Sequence, residues 1–266
     1  MRMAIAGKGG AGKTTISATL ARLSARSGSR VVAIDADANP NLGTALGLSP
    51  SSTGQLTPVP SSLVSRRQGG TGLNEPVDTV LARHTAEAPD GVRLLNLGAP
   101  GHADEGCMCA AHAVVSAVLE DLGADHDRLV LVDMEASPEH FSRGTVRHAD
   151  VVCLVAEPYY RSLETVRRMA RLAAELPVGR IVVVANKVRS AGDHEAIGEF
   201  CAREAIELVG AIPWSDEVVA ADRERVPLVD WPPASSVVDA IAALAAVLAP
   251  GGGHAPAPRP RLSSLP

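Results

Sequence analysis

The run Gly7-Lys8-Gly9-Gly10-Ala11-Gly12-Lys13-Thr14-Thr15 decides how this chain is read. Residues 2–6 before it read as a short apolar strand, and residues 16–25 after it carry helical spacing. In that strand, loop and helix setting, G-x-x-x-x-G-K-T is a phosphate-binding loop. Its glycines let backbone N–H groups turn inward around phosphate oxygens, and the start of the helix adds partial positive charge. Gly9, Gly10, Ala11, Gly12, Lys13, Thr14 and Thr15 are therefore the candidate nucleotide-binding residues. Lys13 can reach the β- and γ-phosphates, and the Thr14 hydroxyl can ligate Mg²⁺. Gly7, Gly9 and Gly12 also satisfy the dinucleotide pattern G-x-G-x-x-G, with Asp35 about where that fold keeps its ribose-binding acid. That pattern has no use for Lys13-Thr14-Thr15, so the triphosphate reading is favoured.

Outward from the loop, strand and helix signals alternate. Strands are expected at 30–34, 92–97, 128–132, 151–156, 181–185 and 206–212, and helices at 110–122, 162–175, 193–203 and 235–248. This alternation predicts an α/β fold of three layers, a mostly parallel twisted sheet of about seven or eight strands with helices on both faces. One domain is expected over 1–248. Within it, 49–90 is rich in Ser, Pro, Gly and Thr and reads as a variable, loop-rich insertion with a short helix at 74–84. The Pro/Gly-rich residues 249–266 read as a disordered tail.

Composition narrows the function. Hydrophobic residues make up 46% of the 266 but aromatic ones only 2%, so the core must be built from Val, Leu, Ile and Ala. Lys plus Arg number 25 against 30 Asp plus Glu, a net charge of −5 with no dense basic run, which argues against a nucleic-acid partner. No apolar run approaches the length of a membrane span and no leader pattern precedes the first strand, so no membrane partner and a cytoplasmic location are expected. Four cysteines in this length are no disulfide scaffold. Cys153, in a strand, and Cys201, on a helix, read as core residues.

Asp35 and Asp37 follow the second strand, and Asp133 ends the strand at 128–132. Ligands of an open parallel sheet sit beyond the carboxyl ends of its strands, so all three acids are expected to converge on the phosphate loop.

With Lys8 included, the loop reads K-G-G-x-G-K-T-T and resembles the deviant phosphate loop of the MinD/ParA group of dimeric ATPases, which includes the nitrogenase iron protein and metal-cluster carriers. The resemblance implies that Lys8 crosses a homodimer interface to the partner's phosphates, as a cation supplied in trans. Other segments narrow the branch. Asp133-Met134-Glu135-Ala136, continuing through Glu139-His140-Phe141-Ser142-Arg143-Gly144-Thr145, Asp35-Ala36-Asp37 with Asn41-Leu42-Gly43, and Gly106-Cys107-Met108-Cys109 resemble motifs of the CooC-type ATPases, maturation factors of nickel-dependent carbon monoxide dehydrogenase. The similarity spans residues 1–248. It implies that Asp37 positions the attacking water, that Asp35 and Asp133 hold Mg²⁺ through its waters, that Asn186 reads adenine, and that the loop from Pro213 to Glu217 covers the base. Ala38, Pro40 and Ser137 depart from the family pattern at the nucleotide loops, and Ala110 stands where proline is usual; none of these removes a carboxylate or thiolate.

Two thiols in C-x-C can converge on one soft metal, whereas a closed tetrahedral site takes four ligands. Two protomers each donating Cys107 and Cys109 would give a Cys₄ site for Zn²⁺ or Ni²⁺ on the twofold axis. His102, Asp104, Glu105 and His112 offer an intrachain alternative. The function expected is an ATP-hydrolysing, ATP-dependent homodimer that helps insert nickel into a client apo-metalloenzyme, such as carbon monoxide dehydrogenase. The rivals are a positioning or partitioning ATPase, a metal-binding protein with a degenerate ATP site, and an iron-sulfur reductase.

Overall fold

A computed structural model of the chain describes residues 1–54, 56–67, 70–96, 109–124 and 127–249. Cys107 and the tail from 250 lie outside the described residues, and of Cys109 only the backbone is described.

The amino-terminal half runs β1 (Arg2–Gly7), α1 (Lys13–Arg26), β2 (Arg30–Ala36), α2 (Leu42–Leu46), α3 (Pro50–Gly54), β3 (Val64–Arg67), β4 (Gly70–Leu73), α4 (Val77–His84), β5 (Thr85–Glu87) and β6 (Arg93–Asn96). The rest runs α5 (Cys109–Asp121), β7 (Arg128–Met134), α6 (Glu139–Ser142), β8 (Val151–Ala156), α7 (Tyr160–Ala174), β9 (Arg180–Val188), α8 (Ala191–Glu204), β10 (Glu207–Pro213), α9 (Asp216–Arg223) and α10 (Ser235–Leu248). Eight strands form one sheet in the order β10-β9-β8-β1-β7-β2-β6-β5. All neighbours are parallel except β5, which pairs antiparallel with β6 at the edge.

The central strands are continuous apolar runs because both sheet faces are covered. Along β1, Met3 and Ile5 point to one face, where they join Ile16 and Leu20 of α1 and Ile241 and Leu244 of α10. Ala4 and Ala6 point to the other, joining Val115 and Leu119 of α5, Met169 of α7 and Ile197 of α8. This period-two alternation between two helical layers is the three-layer architecture predicted. A fully buried side chain such as Ile5 contributes roughly 1.5–3 kcal/mol, and its truncation to Ala costs about 2–5 kcal/mol.

The described residues of 49–90 hold more strand and helix than their composition suggests. β3 and β4 pair as an antiparallel hairpin, and Val59, Leu73, Val80 and Leu81 are buried in the layer that contains α5. Asp121 of α5 accepts the Leu73 N–H at 3.0 Å. The short elements carry too few residues to show a period, which is why a loop is expected there from sequence.

The order of strands places the site. β1 lies between β7 and β8, so the chain crosses over β1 on its way from one to the other, and the crevice at the carboxyl end of β1 is the switch point of the sheet. Among the described residues, no helix is long and apolar enough to cross a membrane.

Candidate nucleotide site

At the end of β1 the backbone passes so close to β8 that a Cβ on Gly7 would sit 2.6 Å from the Val155 carbonyl oxygen. The loop then turns back on itself through the Ala11 N–H to Lys8 carbonyl bond of 3.1 Å. It ends at Gly12, whose φ of +96° caps α1 in a left-handed conformation. A side chain at Gly12 would also collide with Asn186 Nδ2. Glycine is needed there on both counts.

The outer side of the loop is held by β9. Asn186 Nδ2 donates to the Ala11 carbonyl at 2.7 Å, and Lys187 Nζ donates to the Gly10 carbonyl at 2.5 Å and to Glu157 Oε1 at 2.8 Å. In a trans peptide the C=O and N–H point in opposite directions. With the Ala11 carbonyl turned to Asn186, the Gly12 N–H faces the other side of the loop.

Lys13 opens α1, is buried, and has Nζ 3.5 Å from the Lys8 carbonyl. Burial lowers its pKa, while the charges of Asp133, Asp37 and Glu135 oppose that shift. Asp133 lies within β7, which runs one residue beyond it, and is 1% exposed. Its carboxylate accepts from Ser17 Oγ at 3.1 Å, and Thr14 and Lys13 lie close enough to oppose the rise in its pKa. Asp133 pairs in register with Asp35 on β2, so two buried carboxylates sit side by side. Burial pushes Asp35 up to about 7 and Asp133 up to about 6, each despite the hydrogen bonds it accepts. Two carboxylates side by side, with the Ser17 hydroxyl on one of them, offer the hard-oxygen chemistry that suits Mg²⁺.

The structure gives Asp35 an anchoring role that sequence reasoning did not foresee. Its oxygens accept the Leu42 N–H at 2.8 Å and the Asp37 N–H at 3.3 Å, fixing the start of α2 and the loop before it. Asp37 is half-buried and accepts the Asn39 N–H at 2.8 Å, the side-chain turn that tightens an Asp loop. Gly9 meets the Asp133–Ala136 segment, where a Cβ would lie 3.6 Å from the Ala136 Cβ. Lys8 is half-exposed, with its ammonium 5.7 Å from the centroid of the Tyr159 ring.

A cleft of about 480 Å³ opens beside the loop. Gly10, Gly12, Lys13, Thr14 and Thr15 line one wall, and Val218, Asp222, Arg225 and Pro227 line the other. The second wall is α9 and the segment after it, beyond the Pro213 to Glu217 loop assigned from sequence. Pro213 ends β10, and neither it nor Asn186 is among the residues lining this cleft. Another cavity of about 480 Å³ lies at the amino-terminal end of the strands, between Leu23 of α1 and Ala245 of α10, and contains no phosphate-loop residue.

Three residues missed from sequence belong to the site. Glu135 has a raised pKa, from burial first and then from the nearby charges of Asp37 and Glu139. Lys187 and Glu157 brace the loop. A signal for Lys187 was available: of the 25 Lys and Arg residues, Lys8, Lys13 and Lys187 are the only lysines, and all three meet at the phosphate loop. Among the described residues no three His, Cys, Asp or Glu side chains group to hold a metal. The expected site of Cys107 and Cys109 falls on side chains outside those described, as do His102, Asp104 and Glu105. His112, the remaining alternative ligand, is buried against His140 and has Nδ1 3.2 Å from the Thr145 hydroxyl.

Residues 3–228 match the family described as the CobQ/CobB/MinD/ParA nucleotide binding domain. The chain is 36% identical over 244 residues to the carbon monoxide dehydrogenase accessory protein CooC of Rhodospirillum rubrum, covering 88% of this chain and 91% of that one. It is 34% identical over 233 residues to an uncharacterized ATP-binding protein of Methanocaldococcus jannaschii, covering 84% and 88%. Among solved structures, the MinD cell division protein of Aquifex aeolicus superposes with a TM-score of 0.69 at 22% identity, covering 97% and 99%. The septum site-determining protein MinD of Pyrococcus horikoshii OT3, complexed with Mg-ADP, superposes with a TM-score of 0.62 at 21% identity, covering 92% and 95%.

Proposed function

This chain belongs to the CooC-type branch of the CobQ/CobB/MinD/ParA nucleotide-binding family, and we propose that it is a Mg²⁺-dependent ATPase that dimerises with ATP and helps insert nickel into an apo-metalloenzyme such as carbon monoxide dehydrogenase. The observation that carries the nucleotide chemistry is buried Asp133, whose carboxylate sits beside Thr14 and Lys13 at the start of α1. That arrangement presents a hydroxyl, a carboxylate and an ammonium at the mouth of the phosphate loop.

In this reading the loop N–H groups and Lys13 hold the β- and γ-phosphates, while Thr14, with Asp133 and Asp35 through water, holds Mg²⁺. When bound, Mg²⁺ would supply charge neutralisation on the phosphates. Asp37 orients a water for in-line attack: the water oxygen bonds to the γ-phosphorus, the bond to the ADP oxygen breaks, the water's proton passes to the released phosphate or to solvent, and ADP and phosphate leave. Lys8 of each protomer reaches the partner's phosphates. Trans-acting cations of this kind in GTPases are worth about 10³–10⁵ in rate.

The CooC relative supports a carbon monoxide dehydrogenase client, and Cys107-Met108-Cys109 is the basis for a soft-metal site of Zn²⁺ or Ni²⁺ shared between two protomers. The test has three arms: phosphate release in wild type and Asp37→Ala, sedimentation with ATP in wild type and Lys8→Ala, and metal content of reduced protein in wild type and Cys107→Ser. Phosphate release no higher than in Asp37→Ala, a monomer under ATP, or metal stoichiometry unchanged by Cys107→Ser would each refute its part.

A further inference from the structure

We propose that Tyr159 is a positioning residue: its ring holds the Lys8 ammonium on its own protomer until a second copy of the chain takes it, and release from the ring sets the threshold for dimerisation. The inference rests on the reading of Lys8 as a cation used in trans.

Lys8 is the lysine with no ion pair or side-chain hydrogen bond among the described residues, whereas Lys13 and Lys187 are both engaged. Among the described residues its partner is the Tyr159 ring, at 5.7 Å from the centroid and within the reach of about 6 Å at which an aromatic face attracts an ammonium.

The ring is itself fixed. Tyr159 OH donates to Glu157 Oε2 at 2.7 Å, and Glu157 is 7% exposed. Burial and this bond push the phenol up to about 12, so it stays a donor. Glu157 Oε1 accepts from Lys187 at 2.8 Å, and Lys187 returns to the phosphate loop at the Gly10 carbonyl. The Glu157 N–H donates to buried Ser162 Oγ at 2.9 Å, pinning the turn that carries the tyrosine. From Gly10 through Lys187, Glu157 and Tyr159 to Lys8, the contacts close a circuit that begins and ends on the loop. The circuit fixes the ring relative to the loop, and the ring in turn places Lys8.

The hold is weak by construction. A partly exposed ring holds an ammonium about two- to fivefold, and Tyr159 is 41% exposed. A charge-assisted bond to a carboxylate would hold it more tightly, and a free lysine would sample all of its rotamers. The chain has two tyrosines, Tyr159 and Tyr160, and Tyr160 is 77% exposed, so the ring that carries Lys8 stands on a surface open to a second protomer. Each dimer must release two lysines, so the effect on its dissociation constant is the square, roughly 5- to 30-fold.

The experiment measures the dimer dissociation constant of the full chain by sedimentation with Mg²⁺ and a slowly hydrolysed ATP analogue. Tyr159→Leu should tighten the dimer roughly 5- to 30-fold. Tyr159→Phe, which keeps the ring, should shift it less, and in a Lys8→Ala background Tyr159→Leu should change nothing. An unchanged or weaker dimer in Tyr159→Leu, or an equal shift without Lys8, overturns the proposal. Reductive ¹³C-methylation of the nucleotide-free protein gives one signal for each of three lysines. The Lys8 signal should show an upfield ring-current shift that Tyr159→Leu abolishes. Absence of that shift in wild type overturns the holding contact alone. A wild type that stays monomeric with the analogue, its shift intact, overturns the trans reading and with it the threshold.

Discussion

The two ends of α1 carry two charged clusters built on opposite principles. At its start, Lys13 sits near raised carboxylates, and Lys8 beside it is held by a single ring contact. Toward its end, Arg22 and Arg26 both grip Asp90 and Asp230. Arg22 is 4% exposed and bonds Asp90 at 2.6 Å and Asp230 at 2.5 Å, and Arg26 bonds the same acids at 2.9 Å and 2.5 Å. Burial alone would raise Asp90, but the arginine bonds and charges hold it below the usual carboxylate range. The second cluster is saturated: it ties α1 to the turn before β6 and to the segment after the cleft. The first is looser: among the described residues, the one hydrogen bond of the Lys13 ammonium is the 3.5 Å contact to the Lys8 carbonyl. Lysine, a compact point charge, serves the site that must exchange partners, and the arginine fork serves the site that must not.

Exchanging the two chemistries is the severest way to break this contrast. Lys13→Arg keeps the charge but replaces a slim amine with a planar fork in a buried position. Hydrolysis should fall by about 10²–10³, the loss typical of removing one preorganised electrostatic contact. Phosphate release per folded molecule checks it, and activity within about threefold of wild type would mean that charge alone matters at this end.

Acid should separate the clusters next. Asp35 and Asp133 have folded pKa values of about 7 and 6 against an ordinary 3.8. Between pH about 4 and 7 the folded state therefore holds protons that the unfolded chain has released. Stability of the nucleotide-free protein should fall as pH rises through that window, at about 1.4 kcal/mol per pH unit for each acid. Asp90 runs the other way: its lowered pKa gives stability that is present above the ordinary carboxylate value and lost in stronger acid. Urea unfolding at several pH values reads both slopes. Asp35→Asn should flatten the first slope and leave the second, and a slope unchanged in that variant would remove the buried acids as its cause.

The contrast also shows what sequence could reveal. β1, β2, β7 and β8 were legible because a strand buried on both faces must be a continuous apolar run, and the phosphate loop because its backbone demands glycine at fixed spacing. The convergence of Asp35 and Asp133 followed from sheet topology. The edge around β3, β4 and β5 was not legible, since three or four residues carry no period, and β3 and β4 pack on α5, far along the chain. Nor was the bracing of the loop by Asn186, Lys187 and Glu157, which joins positions more than a hundred residues apart through single bonds. The anchoring of α2 by Asp35 was hidden for another reason: an acid at a strand end looks the same whether it faces a metal or two backbone N–H groups.

The smallest effect tests the arginine end on its own terms. Arg22→Lys leaves a cation between Asp90 and Asp230 but removes the fork that bonds both, and Arg26 still pairs each acid. Because those carboxylates are 23% and 35% exposed, water also screens the remainder. The loss should be about 1 kcal/mol, read as a lower urea midpoint at constant slope, with hydrolysis per folded molecule unchanged. If stability held and hydrolysis fell instead, the cluster would be reporting on the cleft wall near Pro227, and the division of labour along α1 between binding and holding would have to be redrawn.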